Sequence, residues 1–509
     1  MLGAVSTLIH RQTRPKGLQP HQTAPQSTRT FLQRLGIERE VQQLSVIHVA
    51  GTKGKGSTCC MVESMLRHSD CRTGLYTSPH LVDIRERIRL QGKPAEEDVF
   101  LENFWWTFDT LTEKATDELG MPFFFEFMTL LALRVFVQQK VDVAVLEVGI
   151  GGRIDATNIV DHPAACGITA LGFDHMEILG DTLPKIAFEK AGIMKPGAPA
   201  VTGPQQDCAM QVLKDRAAEV GCDLALSTPL ERFSTPGSRP VVLGLAGDHQ
   251  RDNAAVAVQL AARWMRGASE RAELAHLKPL LASLERGELP PPLLQGLAAA
   301  SWPGRAQVIH DTQDGQPPSG AGVSFYLDGA HTPESIAECA KWFASVAGAP
   351  AEAAPAAPRP YNVLLFYTMQ KRNPVEILSP LHSTLAAKGC HMDHALFVPL
   401  DSCVTGLGSG AAKPAEDLAW QGSLGRVWEQ LRGSQSPPAP GPAVAPPEIA
   451  GAVRVAAPGA RTTAIPGITG AVDALRVMSR QNNLRVKVLV TGSLYLVGDM
   501  IKLLKGGAV

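Results

Sequence analysis

The chain contains no uninterrupted run of 18 apolar residues, so no segment reads as a membrane-spanning helix. Net charge is nearly absent: at −1 over 509 residues, nothing in the electrostatics marks a nucleic-acid binder. The nine cysteines, at 59, 60, 71, 166, 208, 222, 339, 390 and 403, are odd in number, scattered and free of any CxxC pair. That argues against a structural zinc site or a dithiol redox motif and for a reducing compartment. Acidic residues are missing before Glu38. The Arg-, Thr-, Ser- and Gln-rich segment ahead of it has the composition of an organelle transit peptide, while residues 2–9 read equally well as a first helix of the folded chain. A cytoplasmic location is expected, with mitochondrion or plastid as the alternative.

What is present points to an α/β protein. With 45% hydrophobic residues the chain is long enough for two to four domains. Short apolar runs at 141–148, 164–171 and 198–202 alternate with helical patterns, and a second series runs through 323–327, 362–367, 395–399 and 486–490. Alternation of this kind predicts mostly parallel sheets covered by helices. Two α/β domains are expected, residues 1–300 and 301–509, joined near 293–302. Three stretches rich in Pro, Ala, Gly and Ser, 313–322, 344–360 and 433–458, read as unpacked insertions. No internal repeat is evident.

The sequence HVAGTKGKGSTCC, residues 48–60, places a glycine-rich turn between an apolar strand at 44–49 and a helix. Unpaired N–H groups at a helix start, glycines that let the chain curl around an anion, and the Lys55 cation together make a phosphate cradle. The spacing is tighter than that of the widespread nucleotide loop, with two residues between Gly51 and Gly54-Lys55-Gly56-Ser57. A nucleotide cradle calls for a divalent cation with oxygen ligands at strand ends. Glu147 ends the strand that opens into GIGGRIDATN, Asp174-His175 follows the next strand, and Ser78 sits in TSPH after a short strand at 72–76. In open α/β sheets, strand C-termini line the ligand crevice.

Taken together, GTKGKGST, TSPHLVDIRERI, EVGIGGRIDATN, the DH and LG pair, EKAGI, HQ and NA at 249–254, WPGR, YLDGAH and TGSLYLVG resemble the folylpolyglutamate synthases of the Mur ligase superfamily, in particular their eukaryotic and plant-type members. The resemblance spans nearly the whole chain, interrupted mainly by the three insertions. It implies an N-terminal P-loop ATPase domain and a smaller Rossmann-like C-terminal domain. It also implies ATP binding by Gly54, Lys55, Gly56, Ser57, Asn253, Arg305 and Asp328, and Mg²⁺ ligation by Ser78, Glu147 and His175. Lys190 is implied to be carbamylated and to help hold a second Mg²⁺, and His331 to lie in a glutamate pocket. Lys55, Lys190 and His331 are thus the implied catalytic groups. A monovalent cation such as K⁺ is a further cofactor candidate.

The implied reaction follows from carbonyl chemistry. A carboxylate does not accept an amine, so ATP first converts the folate γ-carboxylate to an acyl phosphate, which the glutamate amine then attacks. The expected partners are reduced folate, L-glutamate and ATP, acting on a monomer. Trp105, Trp106 and the aromatic run at 121–129 offer faces for a pterin, although aromatic-rich helices more often serve the core. Residues 367–373 match no family pattern. Dihydrofolate synthase, alone or in a bifunctional enzyme, is the nearest rival. A catalytically dead nucleotide-binding scaffold would show damage at Lys55, Glu147, His175 or Asp328, and none is visible. A small-molecule kinase would leave DGAH without a purpose.

Overall fold

The computed structural model describes residues 24–312, 320–347, 360–401, 418–433, 453–454 and 461–505. Of the acid-free segment before Glu38, residues 1–23 lie outside the described residues, as do most of the three expected insertions, whereas Ala24–Leu35 is a helix that buries Phe31, Leu32 and Leu35 in the core. Two compact units divide the chain, Met1–Ser301 and Trp302–Val509.

The first unit is built on eight strands: β1 (Val46–Ala50), β2 (Thr73–Tyr76), β3 (Ile88–Leu90), β4 (Lys93–Pro94), β5 (Val143–Glu147), β6 (Ala165–Ile168), β7 (Pro199–Thr202) and β8 (Asp223–Leu226). Their order is β4-β3-β2-β5-β1-β6-β7-β8. From β2 to β8 every pairing is parallel, while β3 and β4 add an antiparallel edge. The central strands β1, β5 and β6 are buried at every position, which explains their unbroken apolar character. One face packs against helices Glu97–Glu113 and Phe124–Gln138, whose Phe100, Phe104, Phe127 and Phe136 join Tyr76 and Leu146 in one core. Farther along the same face, Ala50, Ile168, Ala191 and Ile193 are buried together, while Gly167, pointing the other way, meets Leu260 of helix His249–Ala268.

The second unit carries seven strands: β9 (Gln307–His310), β10 (Gly322–Leu327), β11 (Tyr361–Phe366), β12 (His394–Phe397), β13 (Val453–Arg454), β14 (Thr462–Ala464) and β15 (Arg485–Thr491). They lie in the order β13-β14-β12-β11-β15-β10-β9, parallel except for β9 and β13 at the two edges. The α/β reading of the sequence is therefore the observed fold. Two local expectations differ. Residues 344–347, taken as the start of an insertion, are the last turn of helix Pro333–Ala347, because Ala344 and Ala347 fill the core beneath it. Residues 293–299, placed at the domain join, belong to helix Pro291–Ala299.

That helix lies directly on the phosphate-loop helix, Lys55–Arg67. Ser64 Oγ donates to the Gly296 carbonyl at 2.8 Å, and a methyl group at Gly296 would stand 2.5 Å from Met65 Cα. Backbone cannot yield as a side chain can. Gly296→Ala is therefore expected to destabilise the first unit by about 1–3 kcal/mol, read as a lower urea midpoint; an unchanged midpoint would show that the two helices are not held in this contact.

Candidate active site

The loop after β1 is shaped by two glycines at positive φ, Gly51 (152°) and Gly54 (87°), the second serving as the cap of helix Lys55–Arg67. A Cβ at Gly51 would collide with Thr169, and one at Gly54 with the Asn253 amide. Not every loop N–H faces outward. Those of Thr52 and Lys53 both donate to the Ala170 carbonyl, at 2.9 and 3.1 Å. Intrahelical bonding begins with Thr58 N–H to Gly54 O. Among the described residues, the N–H groups of Gly54, Lys55, Gly56 and Ser57 have no acceptor, so a phosphate has four donors at a helix N-terminus.

Helix His249–Ala268 backs this loop. Asn253 packs against Gly54 and donates to Gln250 Oε1 at 3.0 Å, and Gln250 in turn donates to Ser57 Oγ at 3.3 Å. Gln250 is a contact missed in the sequence, although its spacing of three from Asn253 puts the two on one helix face. A further tie was also missed: Lys53 Nζ lies 3.3 Å from Asp174 Oδ2.

The strand ends bring Ser78 and Glu147 together. Glu147 is buried, and its Oε2 accepts the Ser78 N–H at 3.0 Å. His175 has a different environment: its backbone is left-handed, its side chain is 44% exposed, and its ring nitrogens each lie 3.9 Å from a carboxylate oxygen, of Asp174 and Glu177. No three His, Cys, Asp or Glu side chains among the described residues are grouped to hold a metal ion. Mg²⁺ does not require such a cage, since it takes one or two carboxylates and completes its shell with water and phosphate oxygens. The buried Glu147 carboxylate, with Ser78 held against it through its N–H, fits that pattern.

Lys190 is held by backbone at close quarters. It lies near the end of helix Leu183–Ala191, is only 4% exposed, and donates from Nζ to the Gly51 carbonyl at 2.9 Å. The loop after β5 fixes this helix. Gly152 sits on the carbonyls of Glu189 and Lys190, Gly192 sits on Arg153, and neither contact has room for a Cβ. Arg153 donates its N–H to Glu189 O at 2.7 Å and its guanidinium to Glu189 Oε1 at 2.7 Å, while Asn158 Nδ2 reaches Gly192 O at 3.1 Å. Burial, and then the nearby Lys55 charge, push the Lys190 amine down to about 7.

Within the second unit, the end of β10 gathers the remaining candidates. Asp328 accepts the N–H of Ala306 at 2.8 Å and that of Ala330 at 2.9 Å, tying the WPGR turn to the strand end. The Arg305 guanidinium lies against Gly329. His331 Nδ1 is 2.8 Å from the Gly329 carbonyl, so that nitrogen carries a proton. Arg372 Nη1 donates to His331 O at 2.5 Å. Arg372 belongs to the stretch 367–373 that matched nothing in the sequence, where its only signal was a basic residue between a strand and a helix.

The aromatic candidates separate. Trp106 lies beneath the Arg134 guanidinium at 4.2 Å, and Trp105, 39% exposed, meets Phe104 edge-on. Both contacts lie within helices Glu97–Glu113 and Phe124–Gln138. Phe125 instead lies against Gly149 in the loop after β5, with its ring 6.0 Å from that of Tyr76.

Residues 49–261 match the Mur ligase middle domain. Over 551 aligned residues the chain is 40% identical to folylpolyglutamate synthase of Arabidopsis thaliana, covering 99% of this chain and 86% of that protein. Mitochondrial folylpolyglutamate synthase of Bos taurus is 41% identical over 396 residues, 74% of this chain and 63% of the relative. Among solved structures, Mycobacterium tuberculosis folylpolyglutamate synthase complexed with ADP superposes with a TM-score of 0.69 at 21% identity, covering 99% of this chain and 98% of that one.

The buried lysine has a measurable cost. Its amine binds a proton near 7 in the folded chain and near 10.4 when unfolded. Between those values the unfolded state holds the extra proton, so stability rises with pH from about 7 to about 10, and below about 7 the full penalty is present. Lys190→Met is expected to stabilise the chain by on the order of a few kcal/mol at pH 6 and to change little at pH 10, measured by urea unfolding in bicarbonate-free buffer. An equal effect at both pH values would show that the amine is not desolvated.

Proposed function

The chain belongs to the folylpolyglutamate synthase family, and we propose that it joins L-glutamate to the γ-carboxylate of tetrahydrofolate or of a folylpolyglutamate, driven by ATP through an acyl phosphate. The observation that carries this reading is the arrangement of the first unit's strand ends: four phosphate-facing N–H groups with Lys55, a buried carboxylate at Glu147, and a buried lysine whose amine is pushed down to about 7. A binding module would have no use for so costly a buried amine.

In this reading Gly54 to Ser57 and Lys55 hold the ATP phosphates and stabilise charge on the transferring phosphoryl group. Asn253 keeps the loop in shape from behind. Glu147 and Ser78, with His175, are the residues that would hold Mg²⁺, which supplies charge neutralisation at the phosphates when bound. Lys190, as a free amine, adds to carbon dioxide to give a carbamate and a released proton. The carbamate nitrogen keeps one hydrogen for the Gly51 carbonyl and presents a new anion for a second metal ion. Arg305 and Asp328 are assigned to ATP and His331 to glutamate. A carboxylate oxygen of the folate takes the γ-phosphoryl group and ADP departs; the glutamate amine then forms the C–N bond as inorganic phosphate leaves and the amine loses a proton. The protein is taken as a cytoplasmic monomer, with an organelle as the alternative. None of the described helices is long and apolar enough to cross a membrane.

An ATP-dependent ligation assay with radiolabelled glutamate tests the reading. Label is expected on tetrahydrofolate; label on dihydropteroate alone would make the chain a dihydrofolate synthase, and label on neither would overturn ligation. Lys55→Ala is expected to lower kcat on the order of 10²-fold or more, roughly 3 kcal/mol of transition-state stabilisation. Near-normal turnover in that variant would remove the loop from the chemistry. Lys190→Ala is expected to bind ADP as the parent does, by calorimetry, and to lose ligation; full activity would rule out the carbamate.

A further inference from the structure

Strand β1 is buried on both faces yet carries a histidine at its centre, His48, 1% exposed. An aliphatic residue would fill that place without the cost of burying a polar ring, so the ring's partners matter. His48 Nε2 lies 2.8 Å from Thr157 Oγ1. The same hydroxyl donates to Asp155 Oδ1 at 2.6 Å. Asp155, also buried, accepts the Thr157 N–H on that oxygen at 3.0 Å and the Ile150 N–H on Oδ2 at 2.8 Å, and is bonded by the Gly149 N–H as well. Burial pushes its carboxyl above the usual carboxylate range, and the donors on both oxygens offset part of that rise.

These contacts have a direction. A hydroxyl has one proton, and Thr157 spends it on Asp155, so toward His48 it can only accept; the ring proton therefore sits on Nε2. Burial also pulls His48 down to about 3, keeping the ring neutral. Nothing in the ligase chemistry above uses any of the three residues. Their effect lies in what Asp155 grips: the N–H groups of Gly149 and Ile150, the first turn after Glu147, within the loop whose Gly152 and Arg153 lock the Lys190 helix.

We propose that His48, Thr157 and Asp155 form a one-way hydrogen-bond relay that anchors this loop to β1 and so positions Glu147 and Lys190 for phosphoryl transfer. They are positioning residues, acting through the loop, and the inference rests on the ligase reading. Thr157→Val, which keeps the shape and removes the hydroxyl, is expected to lower kcat about 10- to 100-fold and to raise the half-saturating Mg²⁺ concentration by a similar factor, the range seen when partners of metal ligands are lost. The KM for ATP is expected to stay within about threefold, and Thr157→Ser to restore both kcat and the Mg²⁺ requirement. A folded Thr157→Val with a lowered melting temperature but unchanged kcat and Mg²⁺ dependence would make the relay merely structural and overturn the proposal. Nitrogen-15 NMR of labelled histidine in the full chain is expected to find the His48 proton on Nε2; a proton on Nδ1 would overturn it even if Thr157→Val failed to fold. That measurement needs no turnover. A parent chain that ligates nothing would sink the ligase reading and leave the relay to be decided by the tautomer.

Discussion

The candidate site depends on how closely other backbone can approach the loop after β1. Gly51 presents its carbonyl to the Lys190 amine and its α-carbon to Thr169, and Gly54 lies against Asn253. Thr52 and Lys53 give their N–H groups to one carbonyl beyond β6. The loop is thereby held from three sides, and four N–H groups at the start of the following helix are left facing a ligand. Pre-set donors of this kind do not reorganise as charge develops, which is where their catalytic value lies. A side chain at either glycine would displace a neighbour, Thr169 at Gly51 or the Asn253 amide at Gly54.

The same economy recurs in the loop after β5. Gly152 and Gly192 let two segments meet backbone to backbone, so Lys190 is placed by main-chain contacts as well as by its own helix. A long basic side chain is thus kept out of water with no carboxylate in ion-pair contact among the described residues, Asp174 and Asp155 acting on it only from farther off. Its depressed basicity follows from that placement.

Much of this was legible in the sequence, for physical reasons. The central strands are buried on both faces, so their apolar runs stand out, and the glycine loops announce close approach by composition. Lys55, Ser78 and Glu147 stand out as candidates in the sequence because strand ends and helix starts are predictable places for ligands. Edge strands were harder to see: β8 is exposed at both ends and β9 is only partly covered, so neither carries a strong pattern. Lysine in an amphipathic helix ordinarily lies along the surface with its amine in water, and only tertiary packing reveals that Lys190 does not. His48 and Arg372 acquire meaning solely through residues distant in sequence, and Gln250 chiefly through Ser57. The ring of His175, turned toward Asp174 and Glu177, likewise shows that a shared sheet edge does not by itself fix the direction of a side chain.

The strand order of the second unit bears on biosynthesis. β15, the last described strand in chain order, lies in the middle of its sheet and pairs along its length with both β10 and β11. Until it emerges from the ribosome, those two strands have no common partner, and each presents an open edge and an uncovered apolar face. The first unit can complete its sheet far earlier in translation, whereas the second must wait for nearly all of its residues. At elongation rates of about 5–20 residues per second, the roughly 160 residues from β10 to β15 take on the order of 10 seconds or more to make. Throughout that interval the nascent second unit is a natural client for chaperones that shield unpaired strand edges.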